Sequence, residues 1–395
     1  MFFLKHKSSP CSIYGMKLLM ITLLPAFVLA GCGISPVSDS RNSGGKEPEI
    51  FIAAEWNVQA LFDGQETGNE YGEYRETEGW TAEKYQARLL SLSKAIQLMA
   101  VNDSGAKAPP SGKIPDLIGF AELENAGILS RIASDTLSEY GYYWTAFGNL
   151  PGSPLGIGFV SRYPIKDVRV HSITVGNETA PRPILEIRLE PNEQALVFLL
   201  CHWKSKLGNE NTARALRRAS ARVVQRRLFE LKETEPETPV IVMGDLNENH
   251  DEFYRYAATA KPGKAEKPLF PLLPDDADAA LLALKYGNPG EFLVLTGNKP
   301  PFATFFPENT TALYSPWKHD ISPGTYFFRD KWETIDHFLL SVQLFDGKGW
   351  EYSLCKIASH EPFTTPEGTP NAYIPRTGRG LSDHLPLLLY LTYKP

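Results

Sequence analysis

From Ile50 onward, apolar and β-branched runs recur along the chain, and most of them stop at a charged or amide side chain. Phe51-Ile52-Ala53-Ala54 runs into Glu55-Trp56-Asn57-Val58, and Leu117-Ile118-Gly119-Phe120-Ala121 leads to Glu122. Leu196 to Leu200 ends at Cys201-His202, and Val240-Ile241-Val242-Met243 precedes Gly244-Asp245-Leu246-Asn247. Ile157 to Val160, Ile335 to Val342 and Leu387 to Tyr393 complete the series. Short runs of this kind predict strands, and Ile184 to Leu189 alternates as a half-exposed strand would. A chain that only needed a core would place another Val or Leu at the run ends. Polar residues there read as a site assembled from strand ends.

Helical spacing occurs in fewer places. Thr81 opens a helix through Leu89, Leu92, Ile96 and Met99. A basic helix is predicted from Asn211 to Lys232, with Arg214, Arg217, Arg218, Arg222, Arg226 and Arg227 expected on an exposed face rather than a nucleic-acid groove. Strands dominate, with helices between some of them, which indicates two layered sheets flanked by helices and not a purely parallel α/β fold. From Asp251 to about Gly324, repeated prolines break the pattern around one short helix candidate, Asp275 to Leu284. That stretch is long for a connection, so it is expected to be a structured insertion, either shaping the substrate site or elaborating the surface.

The first residues follow another logic. Met16-Lys17 precedes an apolar stretch from Leu18 to Leu29, too short to span a bilayer comfortably, and Leu29-Ala30-Gly31-Cys32 closes it. This resembles a bacterial lipobox, with residues 1–31 a lipoprotein signal segment, Cys32 the lipidated first residue, and Met1 to Gly15 an upstream start-site extension. Gly33 after Cys32 favours an outer-membrane or cell-surface destination. Residues 32–49 read as a polar tether, leaving 50–395 as the folded domain.

Composition allows that domain a proper core: 395 residues, 43% hydrophobic and 22% charged. Removing Lys5, Lys7 and Lys17 with the signal segment leaves 37 basic against 46 acidic residues, a net charge of −9. Such a chain is no general nucleic-acid sponge, although a local patch and a metal remain compatible with phosphate binding. Cys201 and Cys355 are the cysteines left to the domain, and a disulfide between them is one alternative; Cys201 ends an apolar run, and the favoured reading is buried and free.

Residue types then suggest chemistry. Glu122 is a hard oxygen ligand suited to Mg²⁺, with Mn²⁺ or Ca²⁺ as alternatives, while zinc-type His/Cys spacing is missing. His202 and His384 are candidate proton carriers. Asp336 or Asp383 could fix the tautomer of His384. Asp245 and Asn247 alternate across Leu246, so an extended segment would point both to one side; an isolated Asp-x-Asn is also a common turn.

Taken in order, Trp56 to Asp63, Ile118 to Asn125, Cys201-His202-Trp203-Lys204-Ser205-Lys206, Gly244 to Asn247, Trp332 to His337 and Ser382-Asp383-His384 resemble the motifs of the endonuclease/exonuclease/phosphatase superfamily, which includes DNase I, abasic-site endonucleases, neutral sphingomyelinases and inositol polyphosphate phosphatases. The resemblance covers roughly Ile50 to Pro395. It implies a DNase I-like four-layer α/β sandwich of two mainly antiparallel sheets and metal-assisted hydrolysis of a phosphate ester. It further implies Glu122 as principal metal ligand, Asn57 on metal or phosphate, Asp383 assisting the metal, and Asp336 with His384 activating or orienting water. His202 would contact phosphate or protonate the leaving oxygen, and Asp245 with Asn247 would position nucleophile and phosphate. Arg182, Lys204 and Lys206 are candidate phosphate contacts.

Two positions depart from the pattern: Gln59 stands where several members carry an acid, and residues 155–158 offer no glutamate to pair with His202. The His202-Trp203-Lys204-Ser205 form of the motif resembles bacterial secreted nuclease-like members, which together with the lipobox implies a membrane-anchored, extracytoplasmic nuclease acting on DNA or RNA. The alternatives are a phospholipid, sphingomyelin or inositol phosphate hydrolase and, less favoured, a non-catalytic surface lipoprotein using the sandwich for binding. No obligate protein partner is implied.

Overall fold

Alternation along the strands builds the protein. In Ile50–Leu61, Phe51 and Ala53 face one way while Ile52, Ala54 and Trp56 face the other, and all five are buried. In Leu196–His202, Leu196, Phe198 and Leu200 share a core with Phe51 and Ala53, while Val197, Leu199 and Cys201 point to the opposite side. Strands with both faces covered lie inside a layered stack.

The structure is a computed structural model that describes residues 49–100, 113–176, 178–259, 270–286, 290–300, 306 and 310–395. The signal segment, Cys32 and the tether up to residue 48 lie outside the described residues. In chain order the strands are β1 (Ile50–Leu61), β2 (Leu117–Leu123), β3 (Trp144–Gly148), β4 (Gly156–Ser161), β5 (Asp167–His171), β6 (Thr174–Val175), β7 (Glu178–Thr179), β8 (Ile184–Leu189) and β9 (Leu196–His202). They continue with β10 (Val240–Asp245), β11 (Leu272–Pro274), β12 (Leu293–Thr296), β13 (Ala312–Tyr314), β14 (Tyr326–Phe328), β15 (Lys331–Glu333), β16 (Asp336–Leu340), β17 (Gly349–Ile357) and β18 (Leu387–Lys394). The α-helices are α1 (Ala82–Leu98), α2 (Ala126–Arg131), α3 (Glu210–Thr234), α4 (Glu252–Thr259) and α5 (Ala277–Tyr286).

One sheet runs β17-β18-β1-β2-β4-β3 and the other β11-β12-β13-β16-β10-β9-β8-β5. Antiparallel pairs outnumber parallel ones, but both sheets are mixed: β1–β2, β9–β10, β11–β12 and β12–β13 are parallel. The sheets pack face to face over a core that includes Phe51, Phe159, Phe198, Met243, Phe338 and Leu389. Helices α1 and α2 cover the outer face of the first sheet through Leu89, Leu92, Ile96, Ile128 and Leu129. Helix α3 covers the outer face of the second through Leu216, Val224 and Leu228. The result is the expected four-layer α/β sandwich. Thr81 caps α1, its side chain accepting from Lys84 N–H.

Two expectations change. Strand β8 is buried on both faces, because α3 covers its outer side and Arg227 meets Glu186 there. The arginines of α3 do not form one solvated face: Arg217 is 0% exposed and Arg227 8%, the first paired with Glu248 and Glu210, the second with Glu186. Within 251–324, three short strands extend the second sheet at its edge, and α4 precedes them. These strands and α5 carry a small core of their own around Phe270, Leu273, Phe292 and Phe306. Cys201 and Cys355 are buried and free.

Candidate active site

The same alternation that builds the central core delivers the site. On β1 the inward positions run Phe51, Ala53, Glu55, Asn57; on β9 they run Phe198, Leu200, His202; on β10, Ile241, Met243, Asp245; and β16 begins at Asp336 before Phe338 and Leu340. Strands β1, β9 and β10 end, and β16 begins, at one end of the sandwich, with Asp245 paired in register to both His202 and Asp336. Gly244 permits this approach: at φ 122°, a Cβ there would lie 2.0 Å from the Cys201 carbonyl oxygen.

Glu122 arrives differently. By parity it would point with Ile118 and Phe120 into the helix layer, but its left-handed backbone (φ 68°) re-aims it. There its Oε1 accepts from Asn57 Nδ2 (3.2 Å) and its Oε2 from Ala60 N–H (2.7 Å). Facing it, Gln59 and Ala60 are left-handed too (φ 54° and 50°), and the β1–β2 register shifts between Asn57 and Leu61. Left-handed non-glycine residues cost about 1–3 kcal/mol each and persist only where the surroundings over-determine them.

His384 Nδ1 meets Asp336 Oδ2 at 2.8 Å, and Thr325 Oγ1 donates to the same carboxylate oxygen. Trp56 Nε1 donates to the His384 carbonyl (3.0 Å), while Ser382 Oγ donates to Asn57 O (2.6 Å) and accepts from His384 N–H (3.1 Å). The segment ahead of β18 is thereby fixed against β1. The Tyr326 ring stacks on His384 at 4.7 Å. Asn57 Nδ2 also donates to Asp245 Oδ2 (3.2 Å), and His202 Nε2 lies 3.5 Å from Asp245 Oδ2 and 3.7 Å from Glu122 Oε1. Glu122, Asn57, Asp245, His202, Asp336 and His384 therefore form one connected group, with Asp383 Oδ1 4.0 Å from His384 Nε2.

Charge is unevenly held within this group. Burial disfavours a charged His384, yet the Asp336 carboxylate, helped by Asp383 and Asp245, outweighs it and raises the imidazole well above its ordinary value. His202 goes the other way: burial, with Arg182, His384 and Lys204 nearby, keeps it neutral, and its Nδ1 has no hydrogen-bond partner among the described residues. Its short approach to two carboxylates is therefore a dipolar contact and not an ion pair. Burial and the neighbouring Asp336 push Asp245 up to about 7, against the opposing pull of His384 and the N–H of Asn247. Asp383 is raised by burial and by Glu122.

Four predicted residues, Asn247, Lys204, Lys206 and Arg182, sit otherwise than expected. Strand β10 ends at Asp245, and Asn247 turns left-handed (φ 52°), its N–H donating to Asp245 Oδ1 (2.9 Å) and its Nδ2 to Trp203 O (3.1 Å). This is an Asx-type turn, so the two side chains do not project together. Lys204 Nζ binds its own loop at Ser205 O (3.3 Å) and Leu207 O (3.2 Å), and Lys206 pairs with Glu252. Arg182 spends two donors on the carbonyls of His202 and Trp203 (3.2 Å each) yet stays close enough to Glu122 and Asp245 for their charges to act on it. His337 faces away, onto Glu248 O, and burial drops it to about 4.

Glu55 escaped the sequence reading. It is fully buried, neither carboxylate oxygen has a hydrogen-bond partner among the described residues, and burial with Asp336 and Asp245 nearby raises it well above the carboxylate range. The signal was present: Glu55 shares parity with Phe51, Ala53 and Asn57.

Gln59 is not a free ligand. Its Oε1 accepts from Tyr373 N–H (2.7 Å) and Asp383 N–H (3.0 Å), and its Nε2 donates to Tyr373 O (3.1 Å).

A hard divalent cation fits the donor set. Glu122 and Asp383 are oxygen donors on the solvent side, 23% and 36% exposed at the side chain, and the buried Asn57 adds its Oδ1, which also accepts from Gln59 N–H (3.0 Å). Asp245, Asp336 and His384 also bring donor atoms within 4.8 Å of one another. There, however, His384 Nδ1 and Asp336 Oδ2 already satisfy each other and burial is nearly complete, which suits proton handling better than a hydrated Mg²⁺.

The profile of the Endonuclease/Exonuclease/phosphatase family matches residues 52–268, more than half of the chain, and the chain belongs to that family. Its members are in general metal-dependent phosphoester hydrolases. Similar solved structures include truncated TDP2 from Caenorhabditis elegans, 11% identical over 87% of this chain and 98% of that one, with a TM-score of 0.48. An endonuclease/exonuclease/phosphatase from Bacteroides vulgatus is 14% identical over 88% of this chain and 100% of that one, TM-score 0.47. A family protein from Bacteroides thetaiotaomicron is 14% identical over 89% and 97%, TM-score 0.48. No curated protein matches the chain.

Proposed function

We propose that this protein is a Mg²⁺-dependent phosphodiesterase that cleaves nucleic acid outside the cytoplasm, held at a membrane by a lipid on Cys32. The observation that carries the hydrolase reading is the His384–Asp336 pair, 2.8 Å apart, in one connected group with Glu122, Asn57, Asp245 and His202. The nuclease assignment rests on the Cys201-His202-Trp203-Lys204-Ser205 form of the motif, and the anchor on Leu29-Ala30-Gly31-Cys32.

Glu122, Asp383 and Asn57 are the residues that would hold the cation. Bound there, such a cation would supply neutralisation of charge on the phosphoryl and leaving oxygens. The chain's own residues divide the rest. His384, kept protonated by Asp336, presents a charged Nε2–H to a phosphoryl oxygen. Asp245, raised toward neutrality by burial and by Asp336, is suited to take the proton of an attacking water. Neutral His202 and the unengaged Arg182 donors hold the phosphate.

The test is cleavage of single-stranded DNA, RNA, sphingomyelin and inositol phosphates by the purified protein with Mg²⁺, alongside His384→Ala. Nucleic-acid cleavage lost in the variant is expected. Cleavage confined to sphingomyelin or inositol phosphates would replace the nuclease assignment, and equal silence of both proteins on every substrate would remove the hydrolase reading.

A further inference from the structure

Helix α1 sends one charged side chain into the outer core of the first sheet. Arg88 is 2% exposed, among Leu89, Leu92 and Ile96, and among the described residues no carboxylate pairs with it. A guanidinium in such a place is costly, and an apolar residue of similar size would pack there at lower cost. Its donors go elsewhere: Nη2 to the carbonyls of Val58 and Gln59 (2.7 Å for the latter), and Nη1 to the carbonyl of Ala60 (3.1 Å) and the Tyr74 hydroxyl (3.2 Å). The left-handed pair Gln59-Ala60 turns three successive carbonyls toward one point, and Arg88 is the cation at that point.

The other side of the same turn faces the site. Ala60 N–H donates to Glu122 Oε2, and the Gln59 side chain grips the backbone of Tyr373 and Asp383. Arg88 also stacks on the Tyr373 ring at 3.8 Å. Two residues thus tie the Glu122 strand and the Asp383 segment to one strained turn, although they are far apart in sequence.

We propose that Arg88 and Gln59 are positioning residues that set the spacing between Glu122 and Asp383 for a divalent cation. This rests on the reading that Glu122 and Asp383 take such a cation. It also explains the departure at Gln59: a carboxylate there would keep both N–H contacts through one oxygen but set its other oxygen against Tyr373 O. The position serves as a latch, and the amide is the side chain that satisfies all three contacts.

The test is Mn²⁺ binding to the metal-free full-length protein, read by electron paramagnetic resonance and calorimetry, for wild type, Gln59→Leu, Arg88→Met and Arg88→Lys. Leu228→Ala, in the core under α3, serves as a control that lowers stability far from the site. Loss of residues that orient metal ligands weakens binding about 10–100-fold, and that is expected for Gln59→Leu and Arg88→Met. Arg88→Lys should recover part of the affinity, since an ammonium keeps the charge without reaching all three carbonyls. Leu228→Ala should lower Tm and leave Mn²⁺ affinity unchanged. If wild type binds no Mn²⁺, the cation reading itself fails. If wild type binds and Gln59→Leu and Arg88→Lys bind equally well, with only Tm reduced, the latch is overturned even should Arg88→Met not fold.

Discussion

The hydrogen bond from His384 to Asp336 crosses between the two sheets: Asp336 begins β16 in the second, and His384 sits just ahead of β18 in the first. The site is therefore coupled to the packing of the sandwich as a whole. It also sets the charge of the imidazole, since burial alone would neutralise it.

Asp336→Asn tests that charge. Without the carboxylate, burial prevails and the His384 pKa should fall, which NMR titration of the imidazole reads directly. Activity should fall with it, by about 10²–10⁴-fold in kcat, and the change in pKa separates a lost charge partner from general unfolding.

Glu55→Gln should stabilise the protein, and more at pH 8 than at pH 5. The folded pKa of Glu55 lies above the unfolded value near 4.5, so the folded state holds a proton the unfolded state releases. Stability is full below 4.5 and declines as pH rises toward the folded value. Glutamine removes that decline. Tm measured across pH 4.5 to 8 checks it; a variant curve parallel to wild type would count against a protonated Glu55.

The α3 arginines should separate by partner. Arg217→Met leaves Glu248 buried and unpaired and frees Lys204 O, so a loss of about 3–5 kcal/mol in urea unfolding is expected. Arg222→Ala, 52% exposed at the side chain with a 4.0 Å contact to Glu291, should stay within about 0.5 kcal/mol of wild type.

These contrasts show where the sequence could be read. Runs such as Phe51–Ala54 and Val240–Met243 announce buried strands, and the polar residues that end them share inward parity, so His202, Asp245, Asp336 and Asn57 were legible together. Glu122 was legible by type and not by parity, because only its left-handed backbone turns it toward the site. Glu186 and Arg227 looked solvated because each charge is read beside its neighbours in sequence, while its partner comes from 41 residues away. The strands of 272–314 are three or four residues long, too short to show a period of two.

The central claim is that Glu122 and His384 serve one metal-dependent hydrolytic site. Its most direct measurement is the Mg²⁺ titration of phosphodiester hydrolysis, using an activated aryl diester, by wild type, Glu122→Gln and His384→Ala. Wild-type activity should rise with Mg²⁺ and vanish with chelator; Glu122→Gln should need far more Mg²⁺; His384→Ala should saturate normally at a kcat lower by at least about a hundredfold. Hydrolysis that persists under chelation, or that is unchanged in both variants, would contradict it.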